Sequence, residues 1–258
     1  MELRRKFDED PAAYDRYRPG YPQELFRDVA AYSGIRAGSR LLEIGIGTGQ
    51  ATAPFLQIGA VVTAAELGEE LAAYAAKKFR TCENVRIVCG DYMELPFAEN
   101  SFELCYSATA FHWLPQEQAL AKVLRELKPG GALAIFRNYP FVRRESDPTN
   151  LASSSVYEAF RPTNKTFTER SEADAQPFLT ALRQVGFADV QLRLYRRVRT
   201  LPTEPYIGLL NTYSDHRALE AETRAAFEKA MREALERVGG VVNIYDTVEL
   251  FLARKAQK

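Results

Sequence analysis

The chain is poor in the residues that build metal and disulfide sites. It has three cysteines, two histidines and one tryptophan among 258 residues. Cys82, Cys89 and Cys105 are irregularly spaced and form no CxxC pair, so neither a disulfide framework nor a Cys/His zinc cluster is expected. They read as reduced thiols of a cytoplasmic protein, and no metal is expected. Charge of one sign is also missing: 34 Lys and Arg stand against 34 Asp and Glu. A protein that neutralises many phosphates carries a basic excess, so nucleic acid and polybasic membrane binding are disfavoured. Met1 to Asp10 is charged from the second residue and offers no signal-peptide core. The longest uncharged run, Ile44 to Ala65, contains Gly45, Gly47, Gly49, Gly59 and Pro54, which suits strand, loop and helix better than a membrane span.

What is present is an ordinary globular composition, 46% hydrophobic and 26% charged. The length fits one large domain, or one domain with an addition. Short β-branched runs alternate with helical ones. Strands are predicted at 40–44, 60–65, 85–89, 102–107 and 132–137, with helices near 49–58, 69–80 and 116–127. Such alternation implies right-handed crossovers and a parallel sheet covered on both faces, an α/β fold. Residues 138–182 carry Pro140, Pro148, Pro162 and Pro177, and read as a partly helical insertion with no strand. A strand is predicted at 187–199, a helix at 216–238 and a last strand at 241–253. The expected organisation is 1–137 for an N-terminal lid and ligand-binding part, 138–186 for a cap, and 187–258 for the closing elements of the same domain.

The most informative segment is Leu41-Leu42-Glu43-Ile44-Gly45-Ile46-Gly47-Thr48-Gly49-Gln50. Alternate glycines after a strand allow positive φ and close backbone approach to a ligand at the carboxyl edge of the sheet. The spacing is GxGxG, with Gln50 where a dinucleotide fingerprint needs glycine. Glu43 would repel a pyrophosphate and suits a cationic ligand. Glu66 ends the second strand, where an acid can accept from both ribose hydroxyls. Asp91, in Gly90-Asp91-Tyr92, ends the third and can accept from an adenine amine.

These residues resemble the class I S-adenosylmethionine-dependent methyltransferases over roughly residues 7–137. The likeness also rests on Leu95-Pro96-Phe97, Ser101-Phe102-Glu103 and Leu127-Lys128-Pro129-Gly130-Gly131. Tyr14-x-x-x-Arg18-Pro19-x-Tyr21-Pro22 and Ala110-Phe111-His112-Trp113 are similar to the trans-aconitate methyltransferase-like branch. The resemblance implies a Rossmann-like seven-stranded, mostly parallel sheet with helices on both faces and the last strand antiparallel, plus the lid and the inserted cap. It implies that Gly45, Gly47 and Gly49 surround the methionine moiety of S-adenosyl-L-methionine, with Glu43 in the same loop. Glu66 with Leu67 would hold the ribose, Asp91 and Tyr92 would flank the adenine, and Ser107 would lie near the sulfonium. Tyr14 and Arg18 would close as a lid.

His112 is the candidate catalytic base or acceptor contact. Arg137, Asn138, Tyr139, Arg143 and Arg144 stand where the fifth strand enters the expected pocket. Two arginines could clamp a carboxylate. Before residue 136 there are 15 basic and 18 acidic residues, and 19 and 16 after it. This mild asymmetry leaves a small-molecule acceptor, a carboxylate or other anion, as the preference. A monomer or weak homodimer is expected. The rivals are a methyltransferase acting on a macromolecule, a nicotinamide-dependent oxidoreductase, and a cofactor-binding protein without turnover. Ser107-Ala108-Thr109-Ala110 lacks the Asn/Asp-Pro-Pro-Tyr/Phe sequence of many amino-methylating nucleic-acid enzymes.

Overall fold

The structure, a computed structural model, describes residues 8–257. Helices α1 (Pro11–Tyr17) and α2 (Gln23–Ser33) precede β1 (Arg40–Ile44) and α3 (Thr52–Gln57). Then come β2 (Val61–Glu66), α4 (Glu69–Lys78), β3 (Val85–Cys89), β4 (Phe102–Ala108) and α5 (Gln116–Glu126). The chain continues through β5 (Leu127–Phe141), α6 (Pro148–Phe160), α7 (Glu172–Val185) and β6 (Ala188–Pro202). It closes with α8 (Thr203–Leu210), α9 (Ser214–Arg217), α10 (Ala221–Glu236) and β7 (Val241–Arg254). The seven strands form one sheet, in the order β3-β2-β1-β4-β5-β7-β6. The first five are parallel neighbours, and the last strands are antiparallel. This is the fold that the alternating pattern and the resemblance imply.

Two compact units make up the chain. The larger holds Pro19–Asn138, Ser171–Tyr195 and the chain from Val248 on. Its core fills both faces of the sheet. Leu41, Val62, Leu104 and Phe136 pack with Leu25, Phe26 and Phe55 on one face, and Leu42, Ile44, Cys105 and Ile135 with Leu120, Val123, Leu179 and Leu182 on the other. Strands buried on both faces explain the continuous apolar runs that stood out in the sequence.

The smaller unit holds the described residues up to Arg18, with Tyr139–Arg170 and Arg196–Thr247. Its helices share a separate core of Tyr206, Ile207, Leu210, Phe227, Met231 and Leu235. α1 packs on α8, where the Tyr17 ring lies against Gly208. Two helices start on an Asp-Pro pair. Asp10 accepts from the Ala13 N–H at 2.9 Å, and Asp147 accepts from the Thr149 N–H at 2.8 Å. Each proline sits where its missing N–H costs nothing.

Three sequence expectations need correction. β5 does not stop at residue 137 but runs to Phe141, with the exposed Pro140 in the strand, so residues 138–182 do contain strand. The helix expected at 216–238 is two helices. Glu220 takes an extended conformation (φ −55°, ψ 143°), which separates α9 from α10. The helix after the glycine loop begins at Thr52 rather than near 49, because turn residues fill the positions before it.

Candidate active site

Parallel order puts the carboxyl ends of β3, β2, β1 and β4 along one edge of the larger unit. The chain leaves that edge through the glycine loop after β1, Glu66 at the end of β2, Gly90-Asp91 after β3, and the turn Phe111–Trp113 after β4. Register makes them neighbours: Ile44 pairs with Ala65, Glu66 with Cys89, and Glu43 with Tyr106. The Gly45 N–H donates to the Ala65 carbonyl at 2.9 Å, and the Gly90 N–H to the Glu66 carbonyl at 2.7 Å.

Gly45, Gly47 and Gly49 all have positive φ, at 78°, 55° and 83°. At two of them the surroundings also require glycine. A Cβ on Gly45 would lie 2.4 Å from the Ala110 Cβ, and one on Gly49 would lie 2.3 Å from the Phe79 ring. The loop is thus packed on its own protein as tightly as the sequence expected it to pack on a ligand.

Glu43 is fully buried. Its Oε2 accepts from the Thr52 hydroxyl at 2.6 Å and from the Tyr106 hydroxyl at 2.7 Å. Burial pushes its pKa up to about 8 against these two bonds, and the negative charge of Glu66 adds to the rise. Glu66 is 8% exposed. Its two carboxylate oxygens accept from the Gly47 N–H at 2.8 Å and from the Gly68 N–H at 3.0 Å. The acid therefore orients the loop as well as facing the edge. Leu67 follows it, half-buried.

Other expected residues are placed differently from one another. Asp91 accepts from the Met93 N–H at 2.9 Å, which shapes the turn after β3. The Tyr92 ring is buried, stacks on Phe97, and donates its hydroxyl to Glu126 at 2.7 Å. That contact turns the ring into the core, so only its backbone lines the strand end. The buried Ser107 hydroxyl donates to the Ile44 carbonyl at 2.7 Å and ties β4 to β1. His112 reaches the surface beside Trp113, with ring centroids 4.9 Å apart. Loss of hydration beside the protein, and then the positive charge of Arg137, lower its pKa to about 4.

Tyr14 and Arg18 belong to the smaller unit. There the Arg18 guanidinium lies 5.0 Å from the Tyr14 ring centroid and 4.3 Å from that of Tyr213, and it donates to the Thr212 carbonyl at 2.8 Å. The same unit holds an aromatic polar cluster that the sequence did not announce. The Tyr157 hydroxyl is 3.0 Å from His216 Nε2, and Ser153 and Tyr206 hydroxyls are 3.4 Å apart. Arg143 lies 5.6 Å from the Tyr157 ring centroid and 4.3 Å from that of Phe167. Tyr157, Tyr206 and His216 come from α6, α8 and α9, so no local spacing could have signalled them.

The loop fits a zwitterionic ligand. Glu43 Oε1, Thr48 Oγ1 and Gln50 Nε2 are buried atoms without a hydrogen-bond partner, and all lie within the stretch Glu43 to Gln50. Buried polar groups are nearly always satisfied, so a cluster of exceptions marks a ligand position. An acid, a hydroxyl and an amide together match an ammonium and a carboxylate on one molecule, as in an amino-acid moiety. Thr48, Gln50, Thr52 and Tyr106 were not singled out from sequence as site residues. The signal for Thr48 and Gln50 was their place in the glycine loop.

Comparison with known proteins agrees with this geometry. A family profile described as "Methyltransferase domain" matches residues 42–135, the stretch from β1 into β5. An uncharacterized methyltransferase of Schizosaccharomyces pombe is 27% identical over 239 residues, covering 91% of this chain and 88% of that protein. A demethylmenaquinone methyltransferase of Clavibacter sepedonicus is 30% identical over 206 residues, covering 72% of this chain and 82% of that one. Haemonchus contortus phosphoethanolamine N-methyltransferase 2, solved with S-adenosyl-L-methionine, shares the fold. Its TM-score is 0.58 at 18% identity, over 100% of this chain and 60% of that one. An open α/β sheet with a zwitterion-fitting glycine loop and strand-end acids is the framework of a nucleoside-sulfonium enzyme. The chain belongs to the class I S-adenosylmethionine-dependent methyltransferases.

Proposed function

We propose that the enzyme methylates a small-molecule acceptor that carries an anionic group, a carboxylate above all. The observation that carries this reading is Arg143. Among the described residues no acidic side chain is paired with it, and it lies over Tyr157 in a unit built largely from Tyr139–Arg170 and Arg196–Thr247. A half-buried cation with aromatic neighbours and no carboxylate of its own suits an anion brought by a substrate. We assign the acceptor pocket to this unit, and the closest branch to the trans-aconitate methyltransferase-like proteins on Tyr14, Arg18 and the Ala110–Trp113 run. We further assign a cytoplasmic enzyme, monomeric or weakly dimeric.

In this reading Glu43, Gly45, Gly47 and Gly49, with Thr48 and Gln50, bind the methionine moiety. Glu66 accepts from the ribose, with Leu67 beside it, and Asp91 orients the adenine. Ser107 holds β4 against the loop. Tyr14 and Arg18 act as the lid. S-adenosyl-L-methionine supplies an activated methyl group when bound and leaves as S-adenosyl-L-homocysteine. The chain's own work is to align the acceptor oxygen and to exclude water, which can contribute on the order of 7–11 kcal/mol. A carboxylate is already nucleophilic and needs no base. His112, neutral at neutral pH and a weak proton acceptor, then serves as an acceptor contact.

The test is a screen of metabolites with S-adenosyl-L-homocysteine formation as readout. Turnover of small carboxylates by the wild type supports the reading. Turnover confined to proteins, nucleic acids or uncharged compounds overturns it.

A further inference from the structure

The strand before the glycine loop holds a group whose charge state the methyl-transfer chemistry does not use. Glu43 is fully buried on β1. Its Oε2 takes both hydroxyl donors, Thr52 from α3 and Tyr106 from β4, while its Oε1 takes none. From β2 the facing charged group is a second acid, Glu66. Among the described residues no Lys, Arg or His is bonded to Glu43. An ionised carboxylate here would be a buried charge beside a like charge, with one oxygen wholly unsatisfied.

We propose that Glu43 carries its proton in the free enzyme and releases it when the cationic cofactor binds, so that cofactor binding is coupled to proton release. The proposal rests on the assignment of the glycine loop to the cofactor. The proton goes to solvent, Oε1 becomes a charged acceptor, and the positive charge of the ligand replaces the proton as its counter-charge. Burial and Glu66 already hold the acid neutral up to about pH 8 in the free protein. The ordinary glutamic acid value is 4.5, so across neutral pH the coupled release is one proton per ligand.

The coupling makes affinity pH-dependent in a defined sense. Between roughly pH 5.5 and 8, the binding constant should rise about tenfold per pH unit, then level off. Calorimetry of S-adenosyl-L-methionine binding at pH 6.5 without acceptor, in buffers of different ionisation enthalpy, counts the proton directly. That ligand carries an amine that stays protonated there, so it does not contribute. The wild type should release close to one proton, and Glu43→Gln close to none while still binding. Gln keeps an acceptor for Thr52 and Tyr106, and a thermal melt checks that the variant folds. If the variant does not fold, the wild-type affinity profile alone decides. No proton released by the wild type, the same number released by the variant, or a flat profile overturns the proposal. No binding by the wild type at any pH removes the cofactor assignment itself, a different failure from bound ligand without proton release.

Discussion

Gly45 and Ala110 are in such close apposition that a Cβ on the glycine would fall 2.4 Å from the alanine methyl. The two belong to the loop after β1 and the connection after β4, which the sheet order makes neighbours. The contact locks the cofactor loop to the segment that carries His112. Ala110 has no flexible arm that could swing away.

Gly45→Ala should therefore cost stability twice, by left-handed backbone strain at φ 78° and by overpacking. Together these predict a loss of roughly 2–5 kcal/mol in urea unfolding. Gly49→Ala meets the outer edge of the Phe79 ring, which can move, so its loss should be smaller. Equal losses in the two variants would show that the Ala110 contact does not matter.

Glu66 separates ligand binding from loop structure. Glu66→Ala removes the acceptor of the Gly47 and Gly68 N–H groups, so it should weaken both fold and cofactor affinity. Glu66→Gln keeps one acceptor oxygen, sets its NH2 against the second backbone N–H, and loses the charge. It should cost less stability than Glu66→Ala, through the one lost bond, and lower S-adenosyl-L-methionine affinity by about tenfold to a hundredfold in calorimetry. Unchanged affinity in the Gln variant would remove the ribose assignment.

His216 should contribute a loss of stability in mild acid, against an opposite contribution from Glu43, which keeps its proton on folding and so costs stability as pH rises toward 8. The ring is 3% exposed, and burial lowers its pKa below the ordinary 6.5 despite the opposing charge of Asp215. The unfolded chain then takes up a proton near pH 6.5 that the folded chain refuses, so the His216 contribution to stability declines as pH drops below that value and is constant above it. His112, with its pKa lowered to about 4, acts in the same direction, but its exposed ring makes its share smaller. Because Glu43 acts in the opposite direction, the His216 share is read as a difference: in urea midpoints from pH 7.5 to 4.5, the wild type should lose ground relative to His216→Gln as pH drops below about 6.5, and a constant difference would remove the assignment.

Arg143→Ala should raise the acceptor KM by on the order of tenfold to a hundredfold and leave cofactor affinity unchanged. A matching loss in S-adenosyl-L-homocysteine binding would place Arg143 outside an acceptor role.

His112→Ala should act on KM for a carboxylate acceptor, with kcat changed only a few-fold. A kcat loss of about a hundredfold or more is the scale of a lost general base and would restore that role.

Much of this protein was written in its residues one after another. Residues 41–44, apolar around a single acid and followed by GxGxG, marked a strand, a turn and a ligand loop without any tertiary knowledge. The β-branched runs marked the other parallel strands, since strands buried on both faces need no polar alternation. Strand-end positions then placed Glu66 and Asp91 on one edge, by topology alone. The prolines were harder to read. Pro148 looks like a breaker in sequence, yet it starts α6 because Asp147 caps the helix. Pro140 sits exposed within β5, in a strand that was expected to have ended by then. The helix expected at 216–238 is divided because the backbone of Glu220 is extended there, a choice that apolar spacing does not encode.

Tertiary structure alone decided what each group could do. Glu43 was legible as an acid, but only burial between Thr52, Tyr106 and Glu66 makes it a proton-holding one. Tyr92 was legible as a neighbour of Asp91, but only the reach of its hydroxyl to Glu126 turned its ring into the core. The Tyr157–His216 contact joins residues 59 apart in the chain, on different helices. Local sequence determines which backbone shapes are affordable. Charge state and side-chain partners depend on hydration and on groups distant in the chain, and only the folded protein sets those.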